Sequence, residues 1–281
     1  MAYGIDAMEP PQGEAAHDLP PSDAFWSDYL ERGEGRSRFQ RHLFSALPSE
    51  PRCRLCTAPF GGIGGPVMRA IGRSPSESTP LMCTACRNAL AKYHGGAETT
   101  GTMLFADIRG STALAESMAP AAFKALLERF YRIATRAVID HEGTIDKFVG
   151  DELMAMFWPA LAGGGHPAKA VLAAQHILRG TGHGEVAGPW LPVGAGVHTG
   201  RVWFGAVGEG SRVDITALGD VVNTTARLAA AAGAGEILVS AKAAAAAGLP
   251  ANELEHRALT LKGKELPFEV MVANLATPAA G

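Results

Sequence analysis

Apolar positions along this chain change their rhythm near residue 98. Beyond that point, short strand-like runs alternate with stretches of helical spacing. TMLFAD, at 102–107, is an apolar run that ends in a carboxylate and reads as a strand. Phe123, Leu126, Leu127, Phe130, Ala134 and Val138 then recur three or four apart. This predicts a helix over 120–141, with Pro120 suited to its first turn. Strands at 144–149 and 153–157 flank a Gly150-Asp151 turn, and a second helix is expected at 167–179. Two further strands, 193–198 and 202–207, are predicted on either side of a glycine turn. A helix at 220–230, a strand at 236–240 and a hairpin near 259–272 complete the pattern. Strand, helix, hairpin, helix, strand is the ferredoxin-like order, so 98–276 is read as an α+β domain: an antiparallel sheet with helices packed on it.

The first third has a different texture. Residues 1–22 are rich in Pro, Gly and acidic side chains without an apolar period, which predicts a flexible tail. In 23–50, Phe25, Trp26, Tyr29, Leu30, Phe39, Leu43 and Leu47 form an intermittent stripe broken at Gly33 and Gly35, a short helical segment better served by two helices than one. Residues 51–97 carry the four cysteines as two Cys-x-x-Cys pairs, Cys53/Cys56 and Cys83/Cys86, on either side of a Gly- and Pro-rich stretch. Four thiolates in two such pairs fit a tetrahedral, zinc-ribbon-like four-cysteine site, a separate small unit in which a metal replaces an adequate core. An iron–sulfur cluster held by four cysteines shares the ligand type but commonly uses tighter spacings. A structural clip is favoured over a regulatory or dimer-positioning module, although Arg52, Arg54, Arg69, Arg73 and Arg87 make the unit locally basic.

Composition narrows the class. Of 281 residues, 47% are hydrophobic and 19% charged, which suits a folded chain, and a net charge of −3 gives no general attraction to nucleic acid or anionic lipid. No apolar run approaches the length of a membrane span, and the start lacks the basic-then-apolar order of a secretory signal. A cytoplasmic protein is expected, where disulfides are the weaker explanation for the cysteines.

Candidate chemistry collects at the strand ends. Asp107 closes the first strand before a Gly-Ser-Thr turn, and Asp151 sits at the tip of IDKFVGDELMAMF. Two such carboxylates on neighbouring strands suit two divalent ions, although each taken singly also fits a cap or a turn residue. Asn223 and Arg227, four apart in VVNTTARL, project from one face of a helix toward one target.

FADIRGST, DKFVGDELMAMF, GVHTGRVWFGAVG and ALGDVVNTTARL, in that order, resemble the class III adenylyl and guanylyl cyclase family over roughly 99–273. The resemblance implies that Asp107, Asp151 and the Ile108 carbonyl bind two Mg²⁺ or Mn²⁺ ions. It also implies that Asn223 and Arg227 act on substrate whose metals the partner protomer holds, in a homodimer with two equivalent sites. The positions that match the family's base readers are Lys147 and Thr216. A lysine donates only, which suits adenine N1, while a threonine hydroxyl can accept from N6; ATP is therefore the favoured substrate and cyclic AMP the product. Thr216 stands where many adenylyl cyclases carry Asp, and its hydroxyl can also donate, which keeps guanylate cyclase open. LKGKELPFEV resembles the family's C-terminal hairpin, where Lys262 or Lys264 would approach the triphosphate. His141 and His198 are read as structural. The rival from another class is an autoinhibited or inactive nucleotide-binding signalling module whose zinc unit contacts a partner. A diguanylate cyclase is disfavoured because the hairpin reads VGDEL.

Overall fold

The computed structural model describes residues 22–32, 43–44, 51–77, 79–209, 213–264 and 266–279. The expected tail, and most of the second helix expected before residue 50, lie outside them. An eight-stranded sheet organises the described chain. Its strands are β1 (Gly96–Ile108), β2 (Thr144–Val149), β3 (Glu152–Phe157), β4 (Val193–Val207), β5 (Asp214–Leu218), β6 (Ile237–Ser240), β7 (Glu255–Leu259) and β8 (Phe268–Ala273). The helices are α1 (Asp23–Glu31), α2 (Gly64–Ala70), α3 (Thr84–Lys92), α4 (Ser111–Ser117), α5 (Pro120–Asp140), α6 (Pro159–Ala162), α7 (His166–Gly180), α8 (Asp220–Ala231) and α9 (Ala241–Ala246).

The strand order is β2-β3-β1-β4-β6-β8-β7, with β5 paired to the far half of β4. Within it, β1-α5-β2-β3-α7-β4 is the expected ferredoxin-like unit, its four strands all antiparallel. The sequence reading differs most at β4. The two strands expected at 193–198 and 202–207 are one, paired with β1 from Val193 to Gly205. Thr199 and Gly200 continue the ladder, and the glycines serve packing: a Cβ at Gly200 would lie 2.6 Å from Val221 of α8, and one at Gly196 would lie 2.5 Å from the Ala229 nitrogen. Glycine here lets a helix lie directly on a strand. The short strand β5 and the helices α4 and α9 carry no distinct apolar period, and the sequence does not announce them. β1 also begins two residues before the expected boundary.

Alternation along β1 sends Leu104, Ala106 and Ile108 to one face, where they pack with Phe130, Ala134 and Val138 of α5 and Val171, Ala174 and Ile177 of α7. Met103 and Phe105 point the other way, into a cluster with Met154, Met156, Trp158, Val202 and Phe204. α8 covers part of this second face through Val221 and Ala229. The rest is covered by the N-terminal third: Trp26, Tyr29 and Leu30 of α1, and Cys53, Leu55, Cys56, Met82, Cys83, Cys86 and Leu90 belong to the same cluster. The cysteine unit and the sheet therefore share one continuous core. An Arg54–Glu142 ion pair adds a polar tie between them. No helix among the described residues is long and apolar enough to cross a membrane.

The seating of α8 on β4 predicts a graded effect. Gly196→Ala forces a methyl group against the helix backbone and is expected to destabilise by about 1–3 kcal/mol, lowering the thermal midpoint by roughly 2–10 °C. Gly164→Ala, where nothing lies within 4 Å, should leave the midpoint unchanged; equal effects from the two substitutions would contradict this packing.

Candidate active site

Two carboxylates meet where β1 ends beside the β2–β3 turn. Asp107 is the penultimate residue of β1 and pairs across the ladder with Glu152. Asp151 occupies the turn, whose Gly150 takes a left-handed φ of 61°. The Ile108 N–H donates to the Asp151 carbonyl at 3.4 Å, and the Tyr131 hydroxyl of α5 donates to the Gly150 carbonyl, so both elements are pinned at this corner. Burial raises the Asp107 carboxyl to about 6, with Arg109 opposing the rise and Asp151 adding to it. Burial followed by the charges of Asp107 and Asp151 raises Glu152 to about 7. Asp107 and Glu152, raised together in one half-buried corner, are favoured as carboxylates when a cation joins them. Hard oxygen donors in that condition fit a divalent ion of the Mg²⁺ type.

Arg109 and Glu152 do not stand out in the sequence. The Arg109 guanidinium ion-pairs with Asp107 and donates to the carbonyls of Ala230 (2.9 Å) and Ala232 (3.3 Å) at the C-terminal end of α8. A cation is favourable at that end of a helix. The same side chain thus ties the carboxylate corner to the helix that carries Asn223 and Arg227. The signal for Glu152 is its register opposite Asp107, which emerges only once the sheet is paired.

On α8, Asn223 is exposed and Arg227 half-buried. The Arg227 guanidinium lies against Gly263, and no hydrogen bond or ion pair reaches it among the described residues. The 260–264 loop meets this helix through Gly263 and Lys264. Lys264 donates to Asp220 at 2.5 Å, while Lys262 is exposed.

A third cluster joins the two expected base readers. Lys147 stands on β2 opposite Met154, and Thr216 stands on β5, whose pairing with β4 brings it back toward β2. The Thr216 hydroxyl donates to Asp146 Oδ2 at 2.5 Å, and Lys147 Nζ lies 3.5 Å from Asp146 Oδ1. Burial pushes the Asp146 carboxyl above its ordinary value, and Thr216 and Lys147 pull it back. Asp146 is not among the residues the sequence points to, because its role needs β5 beside β2. Under this cluster lies a cavity of about 140 Å³ between β2, β5 and the cysteine unit, lined by Asp146, Lys147, Asp214, Thr79, Met82 and Arg87.

The four cysteine sulfurs lie within 4.8 Å of one another, all buried. Cys53 and Cys86 are 4.0 Å apart and Cys56 and Cys83 3.6 Å apart. A tetrahedron with metal–sulfur bonds of ~2.3 Å has edges of ~3.8 Å, so the spacing fits one ion. Hydrogen bonding among the sulfurs and burial hold the Cys86 and Cys53 thiols well above their usual range, a condition that a bound cation would relieve. His198 makes structural contacts: its Nδ1 lies 2.7 Å from the Ser240 hydroxyl, and its ring meets Phe268 edge-on.

An adenylate cyclase of Anabaena cylindrica is 36% identical over 136 residues, 45% of this chain and 26% of that protein. Adenylate cyclase 1 of Rhizobium meliloti is 32% identical over 132 residues, 45% of this chain and 20% of that protein. The chain thus spans between a fifth and about a quarter of the length of these relatives. Among solved structures, the guanylyl cyclase Cya2 is similar at 27% identity and a TM-score of 0.57, over 63% of this chain and 93% of that one. The adenylyl cyclase CyaB from P. aeruginosa is similar at 28% identity and 0.55, over 64% and 96%. Residues 97–271 match the profile of the adenylate and guanylate cyclase catalytic domain, and the chain belongs to that family.

Proposed function

We propose that this chain is an adenylate cyclase that converts ATP to 3′,5′-cyclic AMP and pyrophosphate at the interface of a cytoplasmic homodimer. The observation that carries the substrate is the meeting of Lys147 and Thr216 at one carboxylate, from positions far apart in sequence. The lysine has only donors to offer, and the hydroxyl spends its proton on Asp146. A donor beside an acceptor matches N1 and N6 of adenine. Both adenylyl and guanylyl cyclases are among the similar structures, so the substrate reading rests on these side chains.

In this reading the 3′ hydroxyl oxygen of the ribose attacks the α-phosphorus as its proton passes to water, the bond from that phosphorus to the bridging oxygen breaks, and pyrophosphate leaves with the electron pair. Asp107, Asp151 and the Ile108 carbonyl would hold two Mg²⁺ or Mn²⁺ ions, which when bound acidify the attacking hydroxyl and offset charge on the leaving group. Asn223 orients the ribose. Arg227, without an ion-pair partner among the described residues, is available to the crowded phosphorus. Lys262, exposed and without a partner among the described residues, would meet the triphosphate, and Lys264 must first exchange its bond to Asp220. The four-cysteine cluster holds a structural Zn²⁺ that fastens the N-terminal unit to the sheet.

Purified protein given Mn²⁺ with ATP or GTP separately should yield cyclic AMP from ATP in large preference, identified by product mass. Cyclic GMP in preference would reverse the substrate reading, and ATP binding without turnover would favour an inactive signalling module. Asp107→Ala and Arg227→Ala should each lower the rate by about 10³ or more. Their equimolar mixture should regain about a quarter of the unmutated rate, since half the dimers are mixed and each carries one intact site. No recovery, with mixed dimers verified by mass, would rule out a shared site. Elemental analysis should find about one zinc per chain; Cys83→Ser or metal stripping should lower the thermal midpoint, and an unchanged midpoint would remove the structural role of the metal.

A further inference from the structure

Asp146 is the buried charge that neither the metal chemistry nor the transition-state helix uses. Its side chain is 2% exposed. It sits where the β2–β3 register shifts between Ile145 and Lys147. A regular strand would turn these neighbours to opposite faces, and such an irregularity re-aims a side chain. Here it lets adjacent Asp146 and Lys147 approach to 3.5 Å while Asp146 reaches across to Thr216. The opposite wall of the cavity beside it, formed by Thr79, Met82 and Arg87, comes from the cysteine unit.

We propose that Asp146 is a positioning residue for base selection, fixing the hydrogen-bond polarity of Thr216 so that the site accepts a purine carrying an exocyclic amine and rejects one carrying a carbonyl. The inference rests on the reading of Lys147 and Thr216 as base contacts. An ionised carboxylate can only accept, so the single Thr216 proton is committed to Oδ2, and the hydroxyl shows the base lone pairs alone. Oδ1 faces the Lys147 ammonium at 3.5 Å, so both base contacts are anchored on one carboxylate. A carbonyl placed against that oxygen finds no donor, and an unmatched buried polar group is the strongest basis for discrimination between similar substrates. Without the carboxylate, the hydroxyl rotates and can donate as well as accept. An asparagine cannot substitute: its amide accepts at one atom only, so either Thr216 or Lys147 would face an NH2 group.

The test uses the full chain with its cysteine cluster intact. For Asp146→Asn, nearly isosteric, and Asp146→Ala, kcat/KM is measured with ATP and with GTP, alongside inhibition by pyrophosphate and the thermal midpoint. The ATP-to-GTP ratio is expected to fall about tenfold, chiefly through KM for ATP, with pyrophosphate inhibition unchanged because that ligand has no base. Binding of the α,β-methylene analogues of the two nucleotides reads the same ratio if a variant turns over too slowly. An unchanged ratio in both variants overturns the inference, as does a parallel loss for both nucleotides and pyrophosphate, which marks a merely structural residue. Lys147→Ala and Thr216→Ala separate the two levels. If they lower the ratio and the Asp146 variants do not, this inference alone fails; if they leave it unchanged, the base-contact reading fails with it.

Discussion

The ladder between β1 and β4 is the constraint on which the other parts hang. It runs unbroken from Gly96 to Ile108 against Gly205 to Val193, and it is the place where both halves of the chemistry are attached. One end of β1 delivers Asp107 to the β2–β3 corner. β4 carries α8 on its glycine-bearing face and, at its far end, pairs with β5, which brings Thr216 to β2. A slip of one residue would turn Met103, Phe105 and Asp107 to the wrong side together, because side chains alternate along a strand. The apolar cores on both faces oppose such a slip, so packing and site geometry are fixed by the same register.

Charge is arranged around this ladder with little slack. In the carboxylate corner burial, with the like charges around it, holds Asp107 and Glu152 above their usual range, and Arg109 opposes the rise while gripping the end of α8. Burial raises Asp146 as well, but here both carboxylate oxygens have partners, the Thr216 hydroxyl and the Lys147 ammonium.

Much of the fold is legible because the apolar periods are long. The helix α5 and the β2–β3 hairpin follow from spacing alone; Asp107 and Asp151 stand out at a strand end and a turn, and Asn223 and Arg227 by their four-residue spacing on a helix. What sequence reasoning misses has a common cause. Gly200 looks the same in sequence whether it turns a chain or admits a helix, and only the partner Val221 decides. Asp146, Arg109 and Glu152 act through contacts with β5, α8 and β1, so their roles depend on pairings that no local window contains. The cysteine spacing points to a site but gives no sign that its unit lies on the catalytic sheet.

That last feature alters what counts as a minimal piece of this protein. The family match begins at residue 97, which invites truncation at that boundary. Yet Met103, Met154, Met156, Trp158 and Phe204 are sealed partly by side chains from before it. A fragment cut there would bare a broad thioether and aromatic wall to water, and surfaces of that kind associate. Aggregation of such a fragment would then reflect a missing cover, not a defective enzyme.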